Sequence, residues 1–244
     1  MAKYYPTSDD ISLLVSRGLV TKTSFIHKFG AVPAMSVNTT GTIWDKNDTV
    51  YPWSAWDTAG VLNVDAASAS DIGKTITIEG LDENYDIQTE SILISVQSNN
   101  TGIKSFKRIF SAYCSDGTSN VGNITIQKNS TDVAIILAGK SQSLMSIYTI
   151  PDHHTGYLYK GTCSAQAGAD ATGDMFVRYF GQNSFRVGHS FEVSGTGGQY
   201  TYDFSFPIPI PAKSDIDVRV ITRTNNGRFT AAFDLLLIDN DAAA

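Results

Sequence analysis

The sequence contains 244 residues, of which 42% are hydrophobic and 17% are charged, and its net charge is −6 at pH 7. An acidic chain without a basic run lacks the clustered Lys and Arg that bind phosphate backbones, which argues against nucleic acid as a partner. No apolar run approaches the roughly 20 residues of a membrane-spanning helix, and this argues against a membrane span. The length allows one large β domain or two small ones.

A short helix is predicted near the start of the sequence, at residues 8–18. Ser8 can cap its first turn, Asp9 and Asp10 suit the helix dipole there, and Gly18 can end it. A helix this short is marginal alone in water, so its apolar face should pack either on the chain's own β domain or on a neighbouring subunit. That predicted interface consists of Ile11, Leu14 and Val15.

From Gly30 onward the hydrophobic period changes from helical to alternating. Residues 75–79 place Ile76 and Ile78 on one face, as a half-buried strand requires. A turn at 81–84 leads to a second alternating segment, and together the two predict an antiparallel hairpin. Further strands in this half are predicted at 106–113, 123–127 and 133–137.

The second half of the sequence alternates more regularly. Residues 199–206 place four aromatic side chains on one face, and a later strand puts Asp217 and Arg219 on its solvent face. The run 233–238 is apolar enough to be buried on both faces. Other strands in this half are predicted at 155–163, 175–180, 185–193 and 230–239.

Three alternating prolines constrain the segment that follows residue 206. They cannot lie in the centre of a sheet, so an edge strand or an extended connection is predicted there. The three are Pro207, Pro209 and Pro211.

Many short strands separated by turns rich in Gly, Asn and Asp favour sandwiches or jelly rolls. The predicted fold class is all-β, with two antiparallel β-sandwich domains, the second jelly-roll-like, preceded by an N-terminal arm with one short helix. The predicted boundaries are 1–30 for the arm, 31–140 for the first sandwich and 141–244 for the second.

All three tryptophans of the chain, Trp44, Trp53 and Trp56, fall within one short segment. Such rings can anchor an interface or stack on a sugar, because they offer a large area at a low ordering cost. An equally good interpretation is that they cover one open end of a sandwich. The first predicts an interface or a host-glycan site, and the second predicts core packing.

No combination of residues predicts catalysis. The sequence has no nucleophile elbow, phosphate loop or dinucleotide fingerprint. His153 and His154 are adjacent, so on an extended segment they point in opposite directions and cannot readily chelate one ion. Cys114 and Cys163 lack any CxxC partner, and we interpret them as buried or free thiols, with one disulfide as the alternative. No enzyme activity, cofactor or metal is therefore predicted.

The order of segments resembles a group of virion-associated proteins from tailed bacteriophages, many of them marine. The resemblance covers nearly the whole chain, and one departure is 152–154, Asp-His-His, where such proteins more usually have Ala-Gly-Lys. The segments that carry it are HKFG (27–30), IWD (43–45), TITIEGLDENYDIQTES (75–91), RIFSAYCSDGTSNVGNITI (108–126), GKSQSLMSIYTIPDHHTGYL (139–158) and YTYDFSFPIPIPAKSDIDVRV (200–220).

The resemblance implies a particle component without enzymatic activity. We expect a capsid decoration or cement protein that contacts the major capsid protein and forms a homo-oligomer, either a trimer or another ring. The first residues lack a secretory signal, so synthesis in the host cytoplasm followed by residence in the virion is expected. The alternatives are a tail, neck or fibre component, a carbohydrate- or receptor-binding module, and a glycan hydrolase.

Overall fold

The computed structural model of the protein describes residues 11–195 and 198–242, and its regular secondary structure is almost entirely antiparallel β-strand. The predicted all-β class is confirmed. Ser8, Asp9 and Asp10, which were expected to start the helix, lie outside the described residues. The helix and strands are α1 (Ile11–Ser16), β1 (Thr23–Met35), β2 (Thr40–Thr42), β3 (Asn63–Ala66), β4 (Thr75–Leu81), β5 (Ile87–Leu93), β6 (Asn100–Thr101), β7 (Arg108–Cys114), β8 (Ile124–Lys128), β9 (Thr131–Ile136), β10 (Ile147–Thr149), β11 (His154–Ala165), β12 (Ala171–Arg178), β13 (Arg186–Val193), β14 (Gln199–Ile210), β15 (Asp215–Thr222) and β16 (Gly227–Asp239).

Strands β3 to β9 form a sandwich of two sheets, which we call the first sandwich. One sheet has the order β6-β3-β8-β9 and the other has the order β5-β4-β7. Their facing sides bury apolar residues such as Val64, Ile78 and Ile126 in one core. β4 pairs with β5 in antiparallel register, so the predicted hairpin is confirmed.

The other strands form a second sandwich with the connectivity of a jelly roll. One sheet has the order β1-β16-β11-β14, and the other has the order β10-β15-β12-β13, with β2 added beside β15. Without β2, eight strands remain, namely β1 and β10 to β16. Numbered 1 to 8 along the chain, they give the sheet orders 1-8-3-6 and 2-7-4-5, which is the double Greek key of a jelly roll. The predicted jelly-roll-like character of this part of the chain is confirmed.

The chain enters the jelly roll before it forms the first sandwich. β1 pairs with β16 along most of its length, and β2 pairs with β15. Residues 23–42, which the sequence interpretation divided between the arm and the first domain, therefore belong to the jelly roll. Gly30 permits this packing, because a Cβ atom there would clash with the backbone at Ile43 and Ser146. The first sandwich is therefore inserted in the sequence between β2 and β10 of the jelly roll.

Strand β16 corrects one burial prediction. Residues 233–238 were expected to be buried on both faces, but only Phe233, Leu235 and Leu237 are fully buried, while the alternate residues are half-buried. β16 lies in the centre of its sheet, between β1 and β11. These neighbours hydrogen-bond to both of its backbone edges, but they do not bury the outer face of the sheet. The proline segment behaves as predicted, because β14, which contains Pro207 and Pro209, is an edge strand.

Strand β15 corrects a second burial prediction. Ile216 and Val218 face the jelly-roll core, as its alternation indicated. Asp217 was expected on the solvent face, but its exposed fraction is 0%. The outer side of this sheet is covered by Trp53 and by residues of the first sandwich, so the polar face of β15 becomes the junction between the two sandwiches.

The helix α1 ends as predicted and packs on its own chain. Gly18 has a φ of 66°, the left-handed conformation that commonly follows a helix end. α1 contacts β1 of the jelly roll. Within the described ranges, no helix is long and apolar enough to span a membrane.

Candidate binding surfaces

The three tryptophans lie in the core rather than on a surface. Trp44, Trp53 and Trp56 are all buried, and they pack with the core of the first sandwich. This corrects their interpretation as an exposed interface or glycan site, because none of the rings presents a free face. Their burial agrees with the alternative interpretation, in which they close one end of a sandwich.

Each tryptophan also satisfies its indole N–H. Trp44 Nε1 donates to the carbonyl oxygen of Thr49 (3.1 Å), Trp56 Nε1 donates to the Tyr51 hydroxyl (3.0 Å), and Trp53 Nε1 donates to Asp217 Oδ2 (2.8 Å). The last bond joins the connection after β2 to strand β15. The cluster therefore binds the inserted sandwich to the jelly roll.

The second junction feature is a buried ion cluster centred on Asp215 of β15. Arg108 of β7 donates from Nε to Oδ1 (2.8 Å) and from Nη2 to Oδ2 (3.1 Å). Arg178 of β12 donates to Oδ2 from Nε (3.0 Å) and Nη2 (2.6 Å), and the Thr149 hydroxyl donates to Oδ1 (2.6 Å). The side chain of Asp215 is 3% exposed, so this carboxylate is almost fully removed from water. One aspartate thus holds a guanidinium from each sandwich.

A cleft of about 240 Å³ opens beside this ion cluster, and we call it the junction cleft. The charged residues that line it are four cations and two carboxylates, and two tyrosines, Tyr85 and Tyr179, also line it. Its rim is the loop after β12, where Phe180 is 61% exposed. The charged residues are Lys107, Arg108, Arg178, Lys213, Asp57 and Asp215.

The aromatic wall of the junction cleft is formed by Tyr85 and Phe180. Their ring centroids are 5.9 Å apart, and the ring planes are nearly perpendicular. Lys213 Nζ lies 5.7 Å from the Tyr85 centroid and 5.4 Å from the Phe180 centroid, distances at which a cation is attracted to a ring face. Sequence patterns could not bring these residues together, because each lies on a different segment.

A second candidate surface lies on the edge strand β14 of the jelly roll. We call it the β14 edge, and it is centred on residues 204–207. In the register between β11 and β14, Leu158 is opposite Ile208 and Lys160 is opposite Asp203. Residues 204–207 therefore bulge opposite a single residue, and Phe206 on this bulge is 89% exposed. A cavity of about 170 Å³ lies between β11, β12, β13 and β14, and its lining includes Leu158, Val177 and Ile208 but not Phe206.

Of the three residues predicted to form the helical interface, the structure shows the side-chain burial of two. Val15 is buried, and Leu14 is half-buried. Ile11 begins the helix, but its side chain lies outside the described residues. Leu13 and Leu19, which were not predicted, expose 44% and 56% of their surface. Packing of the helix on its own chain is therefore observed, and its attachment to a neighbouring subunit stays a prediction.

The cysteines and histidines singled out in the sequence do not form a reactive or metal-binding group among the described residues. Cys114 and Cys163 are free thiols, and burial raises the pKa of Cys163 to about 12. His153 Nδ1 lies 3.3 Å from the carboxylate of Asp241 at the surface. Over the described part of the chain, no three His, Cys, Asp or Glu side chains are grouped so that they could hold a metal ion.

Asp45 should make stability depend on pH. Burial raises its pKa to about 7, although the hydrogen bond from the Leu144 N–H (2.5 Å) and the charge of Lys140 oppose the shift. An unfolded aspartate has a pKa of about 3.9, so between about pH 4 and pH 7 the folded state binds more protons. The stability contribution of the protonated form is present below about pH 4 and is lost as the pH rises through 7.

We expect the Asp45→Asn variant to gain stability relative to the wild type as the pH rises from 5 to 8, measured as the difference in Tm at each pH. Asp48→Asn is the control, because hydrogen bonds from the Ser36 backbone and hydroxyl lower the Asp48 pKa and keep this carboxylate ionised throughout that range. Its difference from the wild type should stay constant. A constant difference for Asp45→Asn as well would contradict the raised pKa.

Comparison with known proteins gives no family. No family model matches the chain, and no curated protein matches it. Similar solved structures include the infectious bursal disease virus Gt strain, at 9% identity and a TM-score of 0.22, covering 89% of this chain and 72% of that chain. The VP2 subviral particle of the same virus aligns at 10% identity and a TM-score of 0.23, covering 91% of this chain and 73% of that chain. At TM-scores of this size, the likeness does not define the function of this chain.

Proposed function

We propose that the protein is a non-enzymatic structural component of a tailed-phage virion, and within that class a capsid decoration or cement protein bound to the major capsid protein. The observation that carries this proposal is a jelly roll whose β14 edge leaves Phe206 exposed. Jelly rolls are among the folds of viral capsid domains. Because fold alone does not imply function, the sequence resemblance to phage virion-associated proteins is the second support.

The β14 edge supports a homo-oligomer. An edge strand presents unpaired backbone groups, and a large exposed aromatic side chain on such an edge marks a contact with another chain. Every copy of the protein carries the same edge, so a closed ring, such as a trimer, would cover all of them equally. We expect Phe206 to lie in the contact between copies.

The buried carboxylates support a structural role rather than catalysis. Asp215 is bound by two guanidinium groups and a hydroxyl, and Asp217 is bound by Trp53, Thr42 and Arg219. A carboxylate held in this way joins elements of the fold and is poorly placed to transfer protons to a substrate. Both aspartates lie at the junction between the sandwiches, where such joining is needed.

The position on the particle can be tested by copy number. In purified virions, a decoration protein should be present in numbers comparable with the major capsid protein, as measured by quantitative mass spectrometry. A copy number far below this would identify a tail, neck or fibre component instead. Absence from purified virions would contradict the whole proposal.

The oligomer can be tested with a charge placed on the β14 edge. Phe206→Asp should shift the purified protein from an oligomer to a monomer in light scattering, because the new charge would have to be buried in the contact. Ile103→Asp is the matched control, since Ile103 is also 89% exposed but lies in the first sandwich. This control should remain oligomeric. A wild-type protein that is monomeric at high concentration would argue against the proposed edge contact.

A further inference from the structure

We propose that the junction cleft binds a carboxylate-bearing sugar ring, such as a uronic acid residue of an acidic polysaccharide. This site is separate from the β14 edge and does not depend on the proposed place in the virion. Three features of the cleft carry the inference: its excess of positive charge, its unoccupied donors and its exposed aromatic ring.

The first feature is a local charge opposite to that of the whole protein. The protein has a net charge of −6, yet the cleft is lined by four cations against two carboxylates. Lys213 is paired with Asp152, just outside the lining, at 2.7 Å, so the excess positive charge lies on Lys107, Arg108 and Arg178. Asp215 is already bound by Arg108 and Arg178 and is almost fully buried. Partial burial, and then the positive charge of Arg108, lower the pKa of Lys107. Arg108 and Arg178 both repel the Lys107 charge, so an anion in the cleft would relieve this repulsion.

The second feature is the set of donors that remain for a ligand. Arg178 uses Nε and Nη2 on Asp215, and its Nη1 makes no hydrogen bond to any described residue. Lys107 Nζ donates to the carbonyl oxygen of Asp57 (2.6 Å), a neutral acceptor, and it makes no direct ion pair with a carboxylate of the described residues. The charges of Asp57 and Asp215 act on it only from a longer distance. A guanidinium edge and an ammonium group suit a carboxylate, which accepts hydrogen bonds on both oxygens.

The third feature distinguishes a sugar from a simple anion. Phe180 presents an exposed ring at the rim, backed by Tyr85, and its loop adds the side-chain amides of Gln182 and Asn183. An aromatic ring can cover the apolar face of a sugar, while amides bind hydroxyl groups. The volume of about 240 Å³ is below that of typical drug-sized pockets and suits a single ring. Jelly rolls are also a fold of lectin domains.

The test is titration calorimetry of the full chain with trigalacturonate as the probe and galactotriose as its neutral counterpart. We expect saturable binding of trigalacturonate, at least tenfold weaker binding of galactotriose, and a clear loss of affinity between low and high salt, because screening weakens exposed charge interactions. Equal affinity for the two sugars, or no binding of trigalacturonate, would overturn the proposal.

Two pairs of variants locate the site. Lys107→Gln should weaken trigalacturonate binding at least tenfold, whereas Lys104→Gln should not, although Lys104 also donates to a backbone carbonyl, that of Thr89. Phe180→Ala should weaken binding to a similar extent, whereas Phe206→Ala should not. If both cleft variants bind like the wild type, the site is elsewhere and the proposal is wrong.

The same variants separate this inference from the proposed oligomer. Phe206→Asp should abolish the oligomer and keep sugar binding, while Phe180→Ala should keep the oligomer and lose sugar binding. Titration with hexaglutamate tests the competing occupant, an acidic segment of a protein. Tighter binding of hexaglutamate than of trigalacturonate would overturn the sugar assignment in favour of a protein partner.

Discussion

Replacing Asp215 by alanine should lower the free energy of unfolding by about 3–5 kcal/mol, because it leaves two buried guanidinium groups without their carboxylate. Arg108 and Arg178 are largely buried, with side chains that are 7% and 18% exposed, so water from the junction cleft could replace the lost partner only in part. For a chain of this length, that loss corresponds to a decrease in Tm of roughly 10 °C. Chemical denaturation and calorimetry at one pH would measure both quantities.

The matched control for this variant is Asp203→Ala. Asp203 also pairs with a cation, Lys160 at 3.4 Å, but its side chain is 74% exposed. Exposed ion pairs contribute about 0–1 kcal/mol, so this control should melt close to the wild type. If Asp215→Ala also melted within a degree or two of the wild type, the Asp215 cluster would not hold the two sandwiches together.

Much of the sheet structure could be predicted because strand burial is a local property of the sequence. In β8 and β12, alternate residues face different environments, so the period of two is visible without knowledge of the partner strands. In β14 the prediction of one shared aromatic face is wrong at Phe206, because the bulge at 204–207 interrupts the alternation and leaves this ring exposed. The prolines of β14 indicated an edge because a missing N–H cannot serve a central ladder. The run in β16 was misjudged, since residues 233–238 are apolar throughout although only one face is fully buried.

The insertion of the first sandwich could not be predicted in the same way. β1 pairs with β16 at the far end of the sequence, and no local pattern specifies a partner at that separation. The same limit applies to β15, whose alternation correctly indicated one apolar face. Because the first sandwich covers its other face, Asp217 is buried where a solvated residue was expected.

The candidate sites show the limit most clearly. The tryptophan segment attracted a binding interpretation because large aromatic residues in a connection suit an interface, yet the connection lies between two packed sandwiches. The residues of the junction cleft, such as Lys107, Arg178 and Lys213, are unremarkable in sequence and meet only through the fold. The one signal in the sequence was Phe180, an aromatic residue at the end of a predicted strand and directly before Gly181.

Replacing Trp56 by alanine should lower the free energy of unfolding by about 3–5 kcal/mol, the range for removing a fully buried large aromatic side chain. Trp56 is 0% exposed, and its loss would leave a cavity beside the Tyr51 hydroxyl, which would lose its hydrogen-bond donor. Trp56→Phe is the graded control, because it removes the indole N–H and only part of the ring volume, so its loss should be clearly smaller. Urea denaturation followed by circular dichroism would measure both variants. A loss below about 1 kcal/mol for the alanine variant would show that the ring is not part of a packed core, and it would restore the possibility that the tryptophans are free to bind a ligand.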